Sequence, residues 1–425
     1  MTELNEVRAT LDHIEAYLRE TLLPFWIERS PDRGVGGFLT YFDSQGRPTG
    51  ETVKTFLMQI RMLYTMSSIH RAGLDDGRCA ELARMGAEFI LDHYWDDAHD
   101  GWIWIADRYG APLVASKIGY GQCFAMYAFS EYFMATGDER GREAALRTYD
   151  AVGRHMIDTQ RGGYYEIMQP DWRPERPGKF GGDRKSIDVH MHMMEALTNM
   201  LEMTGSETHR RRLLEVIGLI IGSMLRAEDR TGYMQFSLDF KPLPAILFDV
   251  EWGRDAEPED GLARPISYTS YGHNVEFAWL LLHAAEILDC PLEEYAGIAR
   301  SIFDHCIDYG IDRELGGVFV DGPHNAMPAG TEKQFWQQAE VLVGMLDAYR
   351  LFGHDRYWDA FKEVYNFVFS KFVNMAGGGE WYERLDRSGG PIDDALGHGW
   401  KISYHTVRSM AQSIKRLRLI LQAAA

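Results

Sequence analysis

A short motif that recurs six times constrains the fold of this chain more than any other feature. In each copy, glycine is followed by aromatic or β-branched residues, a polar turn and usually a proline, and successive copies lie about 60 to 85 residues apart. Alternating side chains around a Gly, Asp or Asn turn are typical of β-hairpins. The copies are GGFLTYFDSQGRP at 36–48, GWIWIADRYGAP at 101–112, GGYYEIMQPDWRP at 162–174, GYMQFSLDFKP at 232–242, GGVFVDGPHNAMP at 316–328 and GGEWYERLDRSGGP at 378–391.

Two stretches of helical periodicity accompany each hairpin. The stretch before the hairpin is amphipathic, at residues 5–22, 77–95, 139–159, 207–226, 291–308 and 355–373. The stretch after it is more apolar and rich in small residues, at 53–71, 117–136, 187–204, 271–288, 332–352 and 401–422. An apolar surface all round a helix indicates burial on both sides. We therefore predict an all-α fold, an (α/α)6 barrel of six inner and six outer helices with short β-hairpins at one end.

The repeats also bear on closure and on domain organisation. An open α-solenoid is the alternative to a barrel, but such arrays need atypical polar units at their ends, which this sequence lacks. No linker or low-complexity tract divides the chain, so we expect a single catalytic domain over 1–425. Residues 243–270 form an unusually long connection, which we expect to lie over the mouth of the cavity; a solvated acidic excursion is the alternative.

Charge and cysteine usage exclude several classes of partner. A net charge of −19 repels phosphate backbones and anionic lipids, which disfavours nucleic-acid and membrane partners. No stretch approaches the run of about 18 apolar residues that a membrane span needs, and the first residues are acidic where a signal peptide is basic and then apolar. The four cysteines have no CxxC spacing and indicate free thiols. We expect a cytoplasmic protein, either a monomer or a homodimer.

Polar side chains recur near the starts of the predicted inner helices, where six helices would line one cavity. Polar groups are costly to bury without partners or a purpose, and so many of them at one end of a barrel indicate a site. The set is Arg61, Tyr120, Asp188, His190, His192, Glu195, His273, Glu276, Trp336, Glu340, Trp400, His405 and Arg408, with Lys54, Gln59, Lys117, Gln122 and Lys401 beside them.

The histidines in this set indicate proton transfer. Histidine takes and gives a proton near neutral pH, and two of them on different helices can address opposite faces of one carbon. Glu276 stands one turn after His273 and Glu195 one turn after His192, a spacing that lets a carboxylate fix the tautomer of an imidazole. Arg61 is suited to stabilise a developing enediolate oxygen. The set therefore favours abstraction of a weakly acidic C–H beside a sugar aldehyde.

Two other kinds of site could use the same residues. His190, His192 and nearby carboxylates suit a transition metal, but residues i and i+2 of a helix point about 200° apart and do not easily share one ion. Paired acids such as Glu276, Glu340 and Asp188 suit a glycoside hydrolase, in which two carboxyl groups flank the scissile bond. The density of histidine disfavours the hydrolase. We predict no metal and no cofactor.

Several segments in order resemble one known family over essentially the whole length. They are YGQCFAMYAFSEY at 120–132, VHMHMMEALTNM at 189–200, GHNVEFAWLLLHAAE at 272–286, KQFWQQAEVLVGML at 333–346 and WKISYHTVR at 400–408. The chain resembles the N-acylglucosamine 2-epimerase superfamily, in its cellobiose 2-epimerase and mannose 2-epimerase branch. The resemblance implies a metal-independent and cofactor-independent epimerase or isomerase on an (α/α)6 barrel.

The resemblance also implies roles for individual residues. His405 and His273 would exchange the C2 proton of the ring-opened sugar through a cis-enediolate, and Arg61 would bind the enediolate oxygens. Glu276 would support His273, and His192 would assist ring opening with His190 near it. The residues expected to bind the sugar are Tyr120, Asp188, His190, Trp336, Glu340, Trp400 and Arg408.

Three positions bear on the substrate. Cellobiose epimerases tend to have asparagine where this chain has Asp188, which favours a different substrate such as free mannose or glucose. Phe335 precedes Trp336 where a Trp–Trp pair is common, and His190 is absent from some isomerase relatives. We predict a sugar 2-epimerase that interconverts mannose- and glucose-type reducing ends, free or β-1,4-linked as in cellobiose. An aldose–ketose isomerase of the mannose-to-fructose type is the alternative.

Overall fold

Helices alternate between an outer and an inner position along the chain. The computed structural model describes residues 2–248 and 264–424. The outer helices are α1 (Thr2–Tyr17), continued through a π-helical turn by α2 (Leu23–Arg29), then α4 (Arg78–His93), α6 (Glu139–His155), α8 (Glu207–Leu219), α10 (Glu293–His305) and α12 (Asp355–Phe367). The inner helices are α3 (Phe56–Arg71), α5 (Gly119–Thr136), α7 (Ile187–Thr204), α9 (Tyr271–Leu288), α11 (Phe335–Phe352) and α13 (Ser403–Ala423).

The inner helices form a closed ring. Each packs against the next in order, and α13 packs against α3, which completes the circle. Each outer helix lies on one inner helix: α4 on α3, α6 on α5, α8 on α7, α10 on α9, α12 on α11 and α1 on α13. The fold is therefore the predicted (α/α)6 barrel, and the open solenoid is excluded because the two ends of the inner series meet.

Burial explains why the inner stretches are apolar on every side. Residues Gly119 to Tyr132 of α5 are all buried, since the helix is enclosed by the outer ring and by its inner neighbours. At Gly121 a Cβ atom would lie 3.0 Å from the Trp104 ring and 3.2 Å from the Phe56 ring, so glycine permits this close approach. The outer helix α6 is amphipathic and begins at Asp138, whose side chain accepts from the backbone N–H of Arg140.

Short strands form a rim at the end of the barrel where the inner helices begin. They are β1 (Lys54–Thr55), β2 (Ile105–Ala106), β3 (Pro112–Val114), β4 (Lys117–Ile118), β5 (Ile167–Met168), β6 (Arg184–Ser186), β7 (Gln235–Ser237), β8 (Pro242–Leu243), β9 (Tyr268–Ser270), β10 (Asp321–Pro323), β11 (Lys333–Gln334), β12 (Arg384–Leu385) and β13 (Pro391–Asp393). The strand before an inner helix pairs with the next hairpin, as β1 does with β2 and β4 with β5. A bridge between Phe42 and Gly397 joins the last unit to the first. The sequence predicted the hairpins but not these links between units.

Buried lysines and amides hold this rim and do not line the cavity, which corrects one expectation. Lys54 donates to Asp32 at 3.2 Å and to the carbonyl of Gly36 at 2.6 Å. Gln59 bonds both the N–H and the C=O of Phe38. The same contacts recur around the ring through Lys117, Lys185, Lys333, Lys401, Gln122 and Gln338. Their repetition reflects the need to satisfy each hairpin's backbone.

The long connection at 243–270 is described only at its two ends, because residues 249–263 lie outside the described residues. Ala245 forms an antiparallel bridge with Arg264, and Gln235 bonds the backbone of Ile246. Arg264 donates to Asp321 at 2.9 Å, which ties the segment to the fifth hairpin. Its position over the cavity mouth stays a prediction.

Two further predictions concern the state of the cysteines and the crossing of a membrane. Cys79, Cys123, Cys290 and Cys306 carry free thiols. Among the helices described, none combines the length and the hydropathy that crossing a bilayer requires. Location in the cytoplasm and a monomeric or homodimeric state stay predictions.

Candidate active site

Side chains from four consecutive inner helices meet around His192 at the rim end of the barrel. Arg61 on α3 donates to the hydroxyl of Tyr120 on α5 at 2.7 Å, and this hydroxyl lies 3.1 Å from His192 Nε2. Asp188 Oδ1 lies 3.3 Å from His192 Nε2 and 3.6 Å from Nε2 of His273 on α9. The side chains of Asp188 and His273 are 31% and 28% exposed, so both face an opening and not the packed core.

The remaining inner helices contribute a third imidazole. His405 Nδ1 on α13 lies 2.7 Å from Glu340 Oε1 on α11, and the other oxygen of Glu340 accepts from Trp279 Nε1 at 3.0 Å. The ring centroid of Trp336 lies 4.5 Å from that of His273 and 5.8 Å from that of His405. The imidazoles of His273 and His405 therefore lie near the same indole.

His405 is prepared to act as a base. Burial lowers the pKa of His405 to about 3, so its imidazole is neutral at neutral pH. Burial alone would raise the pKa of Glu340, but Arg408 and His405 outweigh it and lower that pKa, so the carboxylate is ionised. An ionised Glu340 accepts the Nδ1 proton of His405, which leaves Nε2 as the basic nitrogen. Burial also lowers the pKa of His273.

His192 has the opposite protonation state. Burial alone would lower the pKa of His192, but hydrogen bonds to Asp188 and Glu195 outweigh it and raise the pKa to about 10. Glu195 Oε2 lies 2.8 Å from His192 Nδ1, one turn along α7 as the spacing predicted. His192 is therefore an imidazolium at neutral pH and can donate a proton.

The guanidinium of Arg408 is bonded to carboxylates of the protein, in contrast to its predicted role in substrate binding. Its Nη1 donates to Glu195 Oε1 at 2.6 Å and to the Tyr404 hydroxyl, and its Nη2 donates to Glu276 Oε1 at 2.5 Å and to Glu340 Oε1 at 2.8 Å. Glu276 was predicted to support His273, but it pairs with Arg408 instead. Helical spacing left this open, because a glutamate on an inner helix reaches a neighbouring helix as readily as the next turn.

His190 is also absent from the cavity, contrary to prediction. Its side chain is fully buried. Its Nδ1 lies 2.7 Å from the carbonyl of Ser186, and its Nε2 accepts from the N–H of Tyr164 at 3.1 Å. Gly163 makes this approach possible, since a Cβ there would lie 2.5 Å from His190 Nε2. His190 holds the third hairpin as Gln59 holds the first.

Comparison with known proteins identifies the family. The sequence profile of N-acylglucosamine 2-epimerase (GlcNAc 2-epimerase) matches residues 36–409. The chain belongs to the N-acylglucosamine 2-epimerase family. A cellobiose 2-epimerase of Bacteroides fragilis is 27% identical over 399 residues, which cover 92% of this chain and 95% of that protein. A D-mannose isomerase of Marinomonas mediterranea is 21% identical over 409 residues, covering 96% and 97% of the two chains.

A solved structure supports the same assignment. The cellobiose 2-epimerase from Spirochaeta thermophila DSM 6192 superimposes with a TM-score of 0.83 at 26% identity, covering 98% of each chain. The resemblance inferred from the sequence is confirmed. As a member of the N-acylglucosamine 2-epimerase family, the protein is an isomerase of the carbohydrate epimerase type.

Aromatic residues extend this network of contacts, and the sequence predicted a role for Trp400 but none for Tyr404 or Trp279. Trp400 lies with its ring 5.8 Å from Tyr120 and 6.3 Å from Trp104, which comes from the second hairpin. Tyr404 donates to Glu195 at 3.1 Å, and Trp279 donates to Glu340. In an apolar helix such aromatic residues look the same as core residues, and only their hydrogen bonds reveal their part in the site.

One group of acidic and histidine side chains has the spacing of a metal site. Ligand atoms of Glu276, Glu340 and His405 lie within 4.8 Å of one another. The Arg408 guanidinium, however, contacts both carboxylates at 2.5 and 2.8 Å and supplies the positive charge between them. The donor set is therefore already occupied by a protein cation and does not fit a metal ion.

Proposed function

We propose that the protein is a sugar 2-epimerase that interconverts mannose- and glucose-type reducing ends, free or β-1,4-linked, by moving the C2 proton between His405 and His273. The names of the relatives, cellobiose 2-epimerase and D-mannose isomerase, support this substrate class. The observation that carries the proposal is a series of neighbouring side chains at the rim end of the barrel. It runs through Arg61, Tyr120, His192, Asp188, His273, Trp336 and His405.

Asp188 and His192, a charged pair on α7, open the sugar ring. His192 donates its Nε2 proton to the ring oxygen of the pyranose, and Asp188 accepts the proton of the C1 hydroxyl as the C1–O5 bond breaks. Burial alone would raise the pKa of Asp188, but His273 and His192 outweigh it and lower that pKa, so the carboxylate is free to accept. Because Asp188 lies 3.3 Å from His192, the proton can return to the imidazole.

His405 and His273, whose imidazoles lie beside Trp336, carry out the epimerisation. His405 Nε2 takes the C2 proton of the open-chain aldehyde, and the electron pair of that C–H bond forms the enediolate, whose oxygen Arg61 stabilises. Rotation about C2–C3 presents the other face to His273, which returns a proton to C2. Burial lowers the pKa of His273, and the carboxylate of Asp188, 3.6 Å from His273 Nε2, opposes that effect and favours the protonated form that this step needs.

A product profile tests this function. Wild-type enzyme incubated with mannose is expected to form glucose as the main product, and cellobiose is expected to yield its 2-epimer. Fructose as the main product from mannose would favour the isomerase, the activity named for the Marinomonas relative. Release of free monosaccharide from cellobiose or mannobiose would indicate a glycoside hydrolase, and unchanged sugar after long incubation would contradict any of these activities.

The charge of Asp188 is expected to set the alkaline limit of activity. The pKa of His192 is raised to about 10, so the imidazolium persists through neutral pH and is lost as the pH rises through that value. Asp188→Asn removes one of the two carboxylates that raise it, so the alkaline limb of kcat/KM should move to lower pH by about one unit or more. The measurement is a pH profile on mannose, corrected for uncatalysed alkaline conversion. Asp171→Asn, at an exposed carboxylate on the third hairpin, is the control; an unmoved limb in Asp188→Asn would contradict the assignment of His192 as the acid.

A further inference from the structure

Arg408 on α13 reaches three other inner helices of the barrel. Its guanidinium is buried and contacts carboxylates from three different inner helices: Glu195 on α7, Glu276 on α9 and Glu340 on α11. We propose that Arg408 is a positioning residue that holds His405 as a neutral base and His192 as a charged acid, acting through Glu340 and Glu195. This inference rests on the proposed function.

The route to His405 passes through one oxygen atom. Glu340 Oε1 lies 2.8 Å from Arg408 Nη2 and 2.7 Å from His405 Nδ1. An arginine so placed keeps Glu340 ionised, and only the ionised carboxylate can accept the Nδ1 proton and turn the basic Nε2 toward the substrate. Without Arg408, a protonated Glu340 would leave the tautomer of His405 unfixed.

The route to His192 uses the other side of the guanidinium. Arg408 Nη1 contacts Glu195 Oε1 at 2.6 Å, while Glu195 Oε2 lies 2.8 Å from His192 Nδ1. Glu195 is thus held as a carboxylate between two cations, and its charge stabilises the imidazolium. The single arginine therefore supports opposite protonation states in two histidines. His405 is neutral and donates its Nδ1 proton to Glu340, whereas His192 is charged and donates to both Glu195 and Asp188.

The charges around Glu340 determine the sign of the expected pH effect. Arg408 and His405 from α13, Glu276 and Trp279 from α9 face this carboxylate. Arg408 is its cationic neighbour at neutral pH, whereas Glu276 adds a second acid. Burial and the nearby Glu340 raise the pKa of Glu276. Removal of the guanidinium leaves acids facing each other, so Glu340 takes up a proton at higher pH than in the wild type.

A cavity at the opposite end of the barrel extends as far as the buried Arg408. It has a volume of about 480 Å³, and Arg408 and Glu195 lie at its inner end. Its outer lining includes the exposed residues Lys415, Arg418 and Gln422 at the end of α13. A small guanidinium ion can therefore replace a missing Arg408 side chain without passing the sugar site.

The test compares Arg408→Ala and Arg408→Lys on mannose. We expect kcat to fall at least about 10²-fold in Arg408→Ala and less in Arg408→Lys, with KM changed little, and the acid limb of the kcat profile to move to higher pH. Methylguanidinium at millimolar, non-denaturing concentration should restore activity to Arg408→Ala. Arg71→Ala is the matched control, because Arg71 lines the same cavity but bonds Glu131 and Glu202; its kcat should match the wild type.

Several outcomes would overturn the proposal. A raised KM with kcat retained would make Arg408 a sugar ligand, and a loss of kcat without any shift of the acid limb in Arg408→Lys would indicate a structural role alone. If Arg408→Ala does not fold, ¹⁵N NMR of histidine-labelled wild type still decides. The expected spectrum shows a neutral Nδ1–H tautomer for His405 and an imidazolium for His192 at neutral pH; the reverse states contradict the proposal. Because this spectrum needs no turnover, it separates failure of this inference from failure of the epimerase function.

Discussion

His405→Asn is expected to lower kcat for mannose epimerisation by at least about 10²-fold, because general-base catalysis contributes that much or more and His405 is the imidazole that Glu340 orients. Asparagine can still donate to Glu340, so the buried carboxylate keeps a partner and the fold is expected to survive. KM should change little, since the stacking surface of Trp336 is intact. Initial rates of glucose formation from mannose measure the effect.

The control for His405→Asn is an equally buried histidine outside the site. His209 on α8 is 4% exposed and bonds Thr204 at 2.7 Å. His209→Asn removes a comparable imidazole and should cost stability, read as a lower melting temperature, while leaving kcat unchanged. If His405→Asn is folded and keeps more than a tenth of wild-type kcat, His405 is not the base.

His273→Asn is expected to separate the two outcomes of the enediolate. Return of a proton to the second face of C2 needs His273, so glucose formation from mannose should fall at least about 10²-fold. Return to C1, which gives fructose, needs only the base that took the proton, so fructose formation should fall less. The ratio of fructose to glucose therefore rises, and chromatography of the products measures it.

An equal loss of both products in His273→Asn would contradict this division of labour. His192→Asn provides the comparison within the site, because loss of ring opening should lower both products together. Parallel behaviour of the two variants would mean that His273 acts before the enediolate forms and not after it.

The barrel was predictable because its signal repeats. Six hairpin motifs and twelve helical stretches follow the same pattern. An error in assigning one helix or hairpin is therefore corrected by comparison with the other five units. The pairing of β1 with β2, and of Phe42 with Gly397, was not predictable, because two-residue strands carry too little alternation to specify a partner. The segment at 249–263 lacks any repeat with which to compare it.

The membership of the site was more predictable than the roles within it. Histidines and carboxylates on inner helices stand out from an apolar background, and His192, His273, Glu340 and His405 do meet. The direction of each side chain was not visible in the sequence. His190 lies two residues before His192 and therefore points in another direction, toward the third hairpin. There it accepts from the backbone N–H of Tyr164, a contact that Gln59 makes with Phe38 in the first unit.

The contacts of Arg408 were the least accessible to sequence reasoning. The resemblance implied that Arg408, near the start of α13, binds the sugar. Its anionic partners lie on helices far away in the chain, where the sequence does not connect them with a buried arginine. Glu195 and Glu276 are each spaced to support a histidine on their own helix, and Glu340 was expected to bind the sugar. Only the closed ring of inner helices shows that all three converge on one guanidinium.

Mannose converted in deuterium oxide gives the most direct test of two imidazoles acting on one carbon. At low conversion, the glucose formed should carry one deuterium at C2, while the remaining mannose should carry little, because one histidine removes the proton and the other supplies a different one. Glucose that retains the original C2 hydrogen of mannose would mean a single group on one face, and would contradict the account.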